Sequence, residues 1–79
     1  MDSKFGFDKL RKGMKARVAA IRDQAGETGR LIELGLTPGT EFTVTKVAPL
    51  GDPIEISLRG YKLCLRRKET AGILLEAVD

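Results

Sequence analysis

Along residues 54–65 apolar and polar positions alternate in strict twos. Ile54, Ile56 and Leu58 are separated by Glu55 and Ser57, and Tyr61, Leu63 and Leu65 by Lys62 and Cys64. A period of two places every second side chain on one face of a strand. With Arg59-Gly60 as a two-residue connection, Leu58 falls opposite Tyr61, Ile56 opposite Leu63 and Ile54 opposite Leu65. Directly opposed residues share a face, so this register gathers six apolar side chains on one side. A slip by one would set leucines against charges, and Gly60 accepts the positive φ that such a turn demands.

The same reading predicts three further strands. Residues 14–22 carry Val18 and Ile21 as their largest apolar side chains, although Ala19 and Ala20 are weak strand formers. Residues 41–47 are rich in β-branched and aromatic types, with Phe42 and Val44 on one side and Lys46 ending the stripe. Residues 73–78 return as the last strand, Ile73 and Leu75 inward. Between the first two strands the period changes. Leu31 and Leu34 stand three apart, as one face of a short helix requires, and Gly35 follows where a helix ends in a left-handed residue. That helix is expected to start within residues 23–29, with Thr28 as a candidate cap. Pro38-Gly39 then predicts a tight turn, proline presetting φ and glycine accepting its positive value.

Residues 1–6 read as a loose leader, with Phe5 or Phe7 folding back over an end of the core. Asp8 is expected to cap a single turn through Leu10, closed by Gly13. Residues 66–72 are polar enough for a turn or one helical turn. Residues 48–53, Ala-Pro-Leu-Gly-Asp-Pro, cannot be regular, because neither proline donates to a ladder and Pro53 holds Asp52 extended. The expectation is a mainly β domain over residues 1–79: a small antiparallel barrel or sandwich of about five strands with one short helix. Closure of the sheet would remove its edges.

Three runs give this chain a specific likeness: RLIELGLTPGTEFTV at residues 30–44, APLGDPIEI at 48–56, and LCLRRKE at 63–69. With the opening Phe7-x-x-Leu10-x-x-Gly13-x-x-Ala16, they resemble the FeoA family of ferrous-iron transport accessory proteins over residues 7–78. The resemblance implies an SH3-like barrel. It also implies a non-enzymatic accessory role, with the membrane ferrous transporter FeoB as partner, contacted at its cytosolic G-protein-bearing portion. The domain would then be cytoplasmic, recruited to the inner face of the membrane. The chain is also similar to the C-terminal SH3-like module of metal-dependent repressors of the diphtheria-toxin-repressor type, but it lacks their helix-turn-helix.

Composition narrows the chemistry. Seventy-nine residues allow one thin core, and the 42% apolar and 32% charged fractions are ordinary for a soluble domain. No run approaches a membrane span, and an acid at position 2 argues against a secretory signal. Cys64 is the one cysteine, so no internal disulfide forms, which fits a reducing compartment.

Histidine is absent. That removes the commonest general base, the commonest transition-metal ligand and every Ser/His or Cys/His nucleophile. Walker and dinucleotide fingerprints are absent too, so an enzyme is not expected and no cofactor is assigned. The possible metal ligands reduce to Cys64, Asp52, Glu55, Glu33 and Glu69. Alternation directs Glu55 into solvent, and the set offers no converging nitrogen and oxygen donors, so no metal site is assigned. Weak carboxylate binding, or bridging between copies through Cys64, is the metal alternative. Lys62 and Arg66 share the side of Cys64 and would favour its thiolate.

The net charge of +3 is unevenly spread, with basic groups at residues 4–22 and 59–68. Either group could attract nucleic acid or anionic head groups, but dispersed surface lysines also serve solubility alone. Nucleic-acid binding by a small basic barrel is the second alternative. It needs exposed stacking aromatics, and Phe42 and Tyr61 are assigned to core stripes.

An interaction module remains, and its contact residues are expected around the stiff loop: Leu36, Pro49, Leu50, Asp52 and Pro53. Two prolines limit the entropy lost when the loop is presented to a partner. Leu50 lies outside any stripe, so it either meets that partner or tucks over the barrel end. Asp52 either takes part or bonds the backbone of its own turn.

Overall fold

The computed structural model describes residues 4–22 and 26–78. A 3₁₀ turn (Phe7–Lys9) leads into β1 (Lys15–Ile21), then α1 (Gly26–Glu33), β2 (Glu41–Val47), β3 (Ile54–Leu58) and β4 (Tyr61–Leu65). A second 3₁₀ turn (Arg67–Glu69) precedes β5 (Ile73–Ala77). The strands form one antiparallel sheet in the order β4-β3-β2-β1-β5. This is the expected mainly β fold with one short helix. Closure is the exception: among the described residues no ladder joins β4 to β5, so the sheet keeps two edges. The main chain of Phe5 pairs with Leu75 on the outer side of β5.

Curvature comes from register shifts between Val18 and Ala20 in β1 and between Val44 and Lys46 in β2. An extra residue on one strand bends it and increases its twist. The concave face collects Ala16, Val18, Phe42, Val44, Ile56 and Leu75, all buried. Phe7 stacks on Phe42 with ring centroids 5.7 Å apart and closes one end of this core. Phe5 is half-buried against the core and Phe7 is part of it, so both aromatic residues fold back where one was expected to; residues 1–3 lie outside the described residues.

The β3–β4 hairpin has the register that alternation dictates, with Ile54 opposite Leu65, Ile56 opposite Leu63 and Leu58 opposite Tyr61. Both turn residues take positive φ, 50° at Arg59 and 87° at Gly60. The apolar stripe is not uniformly buried, however. Tyr61 is 41% exposed and Leu63 half-buried, because β4 is an edge with no further strand beyond it among the described residues.

The end of α1 departs from the sequence reading in an instructive way. Leu31 is fully buried, but Leu34 is 37% exposed. Gly35 takes φ 115°, its amide donates to the Ile32 carbonyl, and the Leu36 amide donates to the Leu31 carbonyl at 3.1 Å. These two bonds make a Schellman ending, which folds the residue after the glycine back toward the helix. Leu36, at 0% exposure, is therefore the second core anchor of this segment, the place assigned to Leu34. Thr37 to Thr40 then form the expected turn, with Gly39 at φ 92°. The Val18 amide donates to the Thr40 carbonyl and the Gly39 amide to the Val18 carbonyl, docking the turn on β1.

Two expected caps are absent. The first 3₁₀ turn starts at Gly6 without a side-chain cap, and Asp8 sits inside it, exposed. Thr28 lies within α1, where its buried hydroxyl donates to the Glu69 carbonyl at 2.9 Å. It serves a tertiary contact and not the helix start. Residues 23–25, part of the expected connector, lie outside the described residues.

Candidate partner-binding surface

The loop of residues 48–53 closes on itself. The Ala48 amide donates to the Pro53 carbonyl at 3.1 Å, and the Gly51 amide to the Ala48 carbonyl at 2.8 Å, with Gly51 at φ 85°. Leu50 occupies the tip and is 91% exposed. Leu50 therefore does not tuck over the barrel end, one of the two placements its sequence position allows. Pro49, Asp52 and Pro53 are also exposed around it. An apolar side chain so open to water gains nothing for the fold.

Asp52 does not bond its own turn. Its Oδ1 accepts from the Arg67 amide at 2.9 Å and so pins the loop to the second 3₁₀ turn. The Arg67 guanidinium lies so near Gly51 that a Cβ there would sit 3.0 Å from Nη2. Leu50 thus projects beside a basic ledge. A shallow depression lined by Asp52, Arg66, Arg67, Lys68 and Ala71 flanks the loop on that side. On the other side a cleft of about 360 Å³ is lined by Lys12, Lys46, Val47, Ala48, Pro53 and Cys64, among others.

Of the residues expected at the contact surface, Pro49, Leu50, Asp52 and Pro53 lie together here. Leu36 does not, because it is core. The sequence offers Arg66 and Arg67 as part of a basic run, and Arg66 also as a neighbour of Cys64, with nothing to tie either to this loop. The hydrogen bond from the Arg67 amide to Asp52 is what places them at the loop, and no periodicity in the sequence signals it.

The carboxylates have other employment. Glu69 is nearly buried, with Oε1 accepting from the Arg66 amide at 3.0 Å and Oε2 from Arg30 Nη2 at 2.7 Å. The Arg66 amide first, and the Arg30 guanidinium second, hold its carboxyl below the usual carboxylate range. Glu55 is not solvated as expected. Its side chain is mostly covered, and Thr45 Oγ1 donates to Oε1 at 2.8 Å. Cys64 is exposed and Glu33 is exposed, far from making a set. Among the described residues no group of three or more Cys, Asp or Glu side chains is placed to hold a metal ion.

Comparison with known proteins agrees with the likeness read from the sequence. The FeoA domain model matches residues 7–77. A fusion of Fe(2+) transport protein A with the Fe(2+) transporter FeoB, from Porphyromonas gingivalis, is 30% identical over 92% of this chain, which spans only 9% of the fusion. A FeoA-like protein from Clostridium acetobutylicum is 33% identical and superposes with a TM-score of 0.86, covering 100% of this chain and 92% of that one. FeoA from Stenotrophomonas maltophilia, described as an SH3 domain protein and solved with zinc, shares the fold at a TM-score of 0.76. Its identity is 22%, over 91% of this chain and 89% of that one.

Proposed function

The chain belongs to the FeoA domain family, a family of ferrous iron transport, and from that premise we propose that it is a non-enzymatic accessory subunit docking on the cytosolic portion of the FeoB transporter. The observation that carries this reading is the Porphyromonas gingivalis fusion, in which a relative of this chain and a FeoB transporter share one polypeptide. Covalent linkage keeps two modules at high effective concentration and is selected when they work together. Among the described residues no helix is long and apolar enough to cross a membrane, so in this reading the transporter supplies the membrane anchorage. It places the domain at the inner, cytoplasmic face.

The docking element in this proposal is the loop of residues 48–53. Interfaces take most of their energy from a few apolar or arginine anchors presented in a rigid frame. Leu50 offers the apolar anchor, the two prolines and the Asp52 bond to the Arg67 amide offer the frame, and Arg66 and Arg67 offer a rim for an acidic surface. The test is retention of the purified chain on an immobilised cytosolic domain of its cognate transporter. Wild-type chain should be retained and Leu50→Asp released, with unchanged thermal stability. Absence of wild-type retention, in either nucleotide state of the G domain, would remove the proposal.

A further inference from the structure

The free edge of β4 lies on a different element from the Leu50 loop. In a hairpin with a two-residue turn the closing pair exchanges both hydrogen bonds, and bonded pairs alternate from there. With Leu58 opposite Tyr61, the amides and carbonyls of Tyr61, Leu63 and Leu65 therefore point at β3. Those of Lys62 and Cys64 point outward, where β4 has no sheet neighbour among the described residues. An unpaired row of this kind is a template for another strand. Beside it lies apolar surface: Tyr61 and Leu34, two of the three exposed large hydrophobic side chains among the described residues, are joined by a hydrogen bond from the Tyr61 hydroxyl to the Leu34 carbonyl.

We propose that β4 pairs with β4 of a second copy of this chain, antiparallel, with Leu63 opposite Leu63 on the two-fold axis. Three registers let the outward groups of Lys62 and Cys64 meet those of a copy, and charge selects among them. One opposes Lys62 to Lys62. A second opposes Lys62 to Arg66. Like charges directly opposite are destabilising. In the third, Lys62 faces Cys64 in both directions, Leu63 meets Leu63, and Tyr61 meets Leu65. A shift by one residue would put Lys62 on the apolar face and is excluded by the pleat. The surviving register keeps apolar with apolar, makes four new main-chain bonds and sets no cation against another. The paired length is five residues, well short of the roughly 1,600 Å² buried in a stable complex, so the association is weak and concentration-dependent.

The full chain carries the test. At about 1 mM it should sediment as a dimer, with amide resonance changes centred on residues 61–65, and dissociate on tenfold dilution. Cys64→Pro removes one outward amide and leaves the β3 ladder intact, since proline is tolerated on edges; this variant should remain folded and monomeric. A trap independent of that variant is Lys62→Cys with Cys64 retained. Opposed bonded pairs have Cα atoms about 5.5 Å apart, within disulfide reach, so mild oxidation should give a covalent dimer. Native chain, and Lys62→Cys with Cys64→Ser, hold only diagonal pairs and should cross-link at least tenfold less. A wild-type monomer at the same concentration, or equal trapping by the single-cysteine chains, would overturn the proposal. So would changes at residues 61–65 seen only on adding the transporter's cytosolic domain, which would give the edge to a partner strand.

Discussion

Arg30 Nη2 lies 2.7 Å from Glu69 Oε2, and this contact joins α1 to the turn that carries the basic ledge. The Glu69 carboxyl is held below its ordinary value of 4.5, by the Arg66 amide first and Arg30 second. A carboxylate whose folded value is depressed adds stability above its unfolded value and loses it as pH falls through the folded one. Glu69→Gln should therefore lower stability at neutral pH by about 1 kcal/mol, about 4–8 °C in Tm for a domain of this size. The difference from wild type should shrink as the medium is acidified below the ordinary carboxylate value. Thermal melts across the acid range check both parts; a gap constant with pH would show that the charge contributes nothing.

Leu50→Ala should leave Tm within about 2–4 °C of wild type, since an exposed surface change lies within about 0.5 kcal/mol. In a strain lacking this protein it should nevertheless fail to restore iron uptake. Asp52→Ala should lose the same function with a somewhat larger stability cost, because it frees the Arg67 amide. Wild-type rescue by both variants would take the loop out of the contact surface.

Leu36→Ala is expected to be the opposite case. Its side chain is fully buried beside Leu31 in the helix ending, and deleting such a side chain costs about 2–5 kcal/mol. Urea unfolding should show a free-energy loss of that size, read as a lower midpoint at unchanged slope. A loss under about 1 kcal/mol would mean that the Schellman ending does not place Leu36 in the core.

Gly35→Ala should also destabilise, for two separable reasons. Its φ of 115° is strained for any side chain, and an added Cβ would sit 2.7 Å from the Tyr61 hydroxyl oxygen. Adding Tyr61→Phe removes the second obstacle but not the first, so the double variant should recover part of the loss. Full additivity of the two losses would show that the crowding is absent.

Ferrous iron should bind this chain no more tightly than about millimolar, since it has no histidine and its donors among the described residues are scattered carboxylates and one thiol. Anaerobic calorimetry giving a one-to-one micromolar site would contradict this.

These cases show what the sequence carried. The β3–β4 register followed from alternation, because period two leaves one pairing that keeps Lys62 off the apolar face. Gly35 and the Pro38-Gly39 turn were legible from backbone freedom alone. Leu34 and Leu36 were exchanged, because spacing along a helix says nothing of the fold-back after its last turn. Thr28 looked like a cap because hydroxyls commonly cap; its real acceptor is the carbonyl of Glu69, far along the chain. The openness of the sheet was hidden for the same reason, since strand count does not determine whether the outermost ladders meet. At the surface, the exposure of Leu50 was one of two readings, and the arginines beside it depended on a bond spanning fifteen residues.

The pairing of Phe5 with Leu75 places the first described strand-like residue against the last strand. Head and tail therefore leave the sheet from the same edge, at β5, with three strands between them and β4. Such a domain can be closed into a ring by a short linker and reopened at the Arg59-Gly60 turn without breaking any strand adjacency except the one hairpin link. It also means that a tether at either end pulls on one margin of the molecule, leaving the far margin free to turn about it like a flag on its pole.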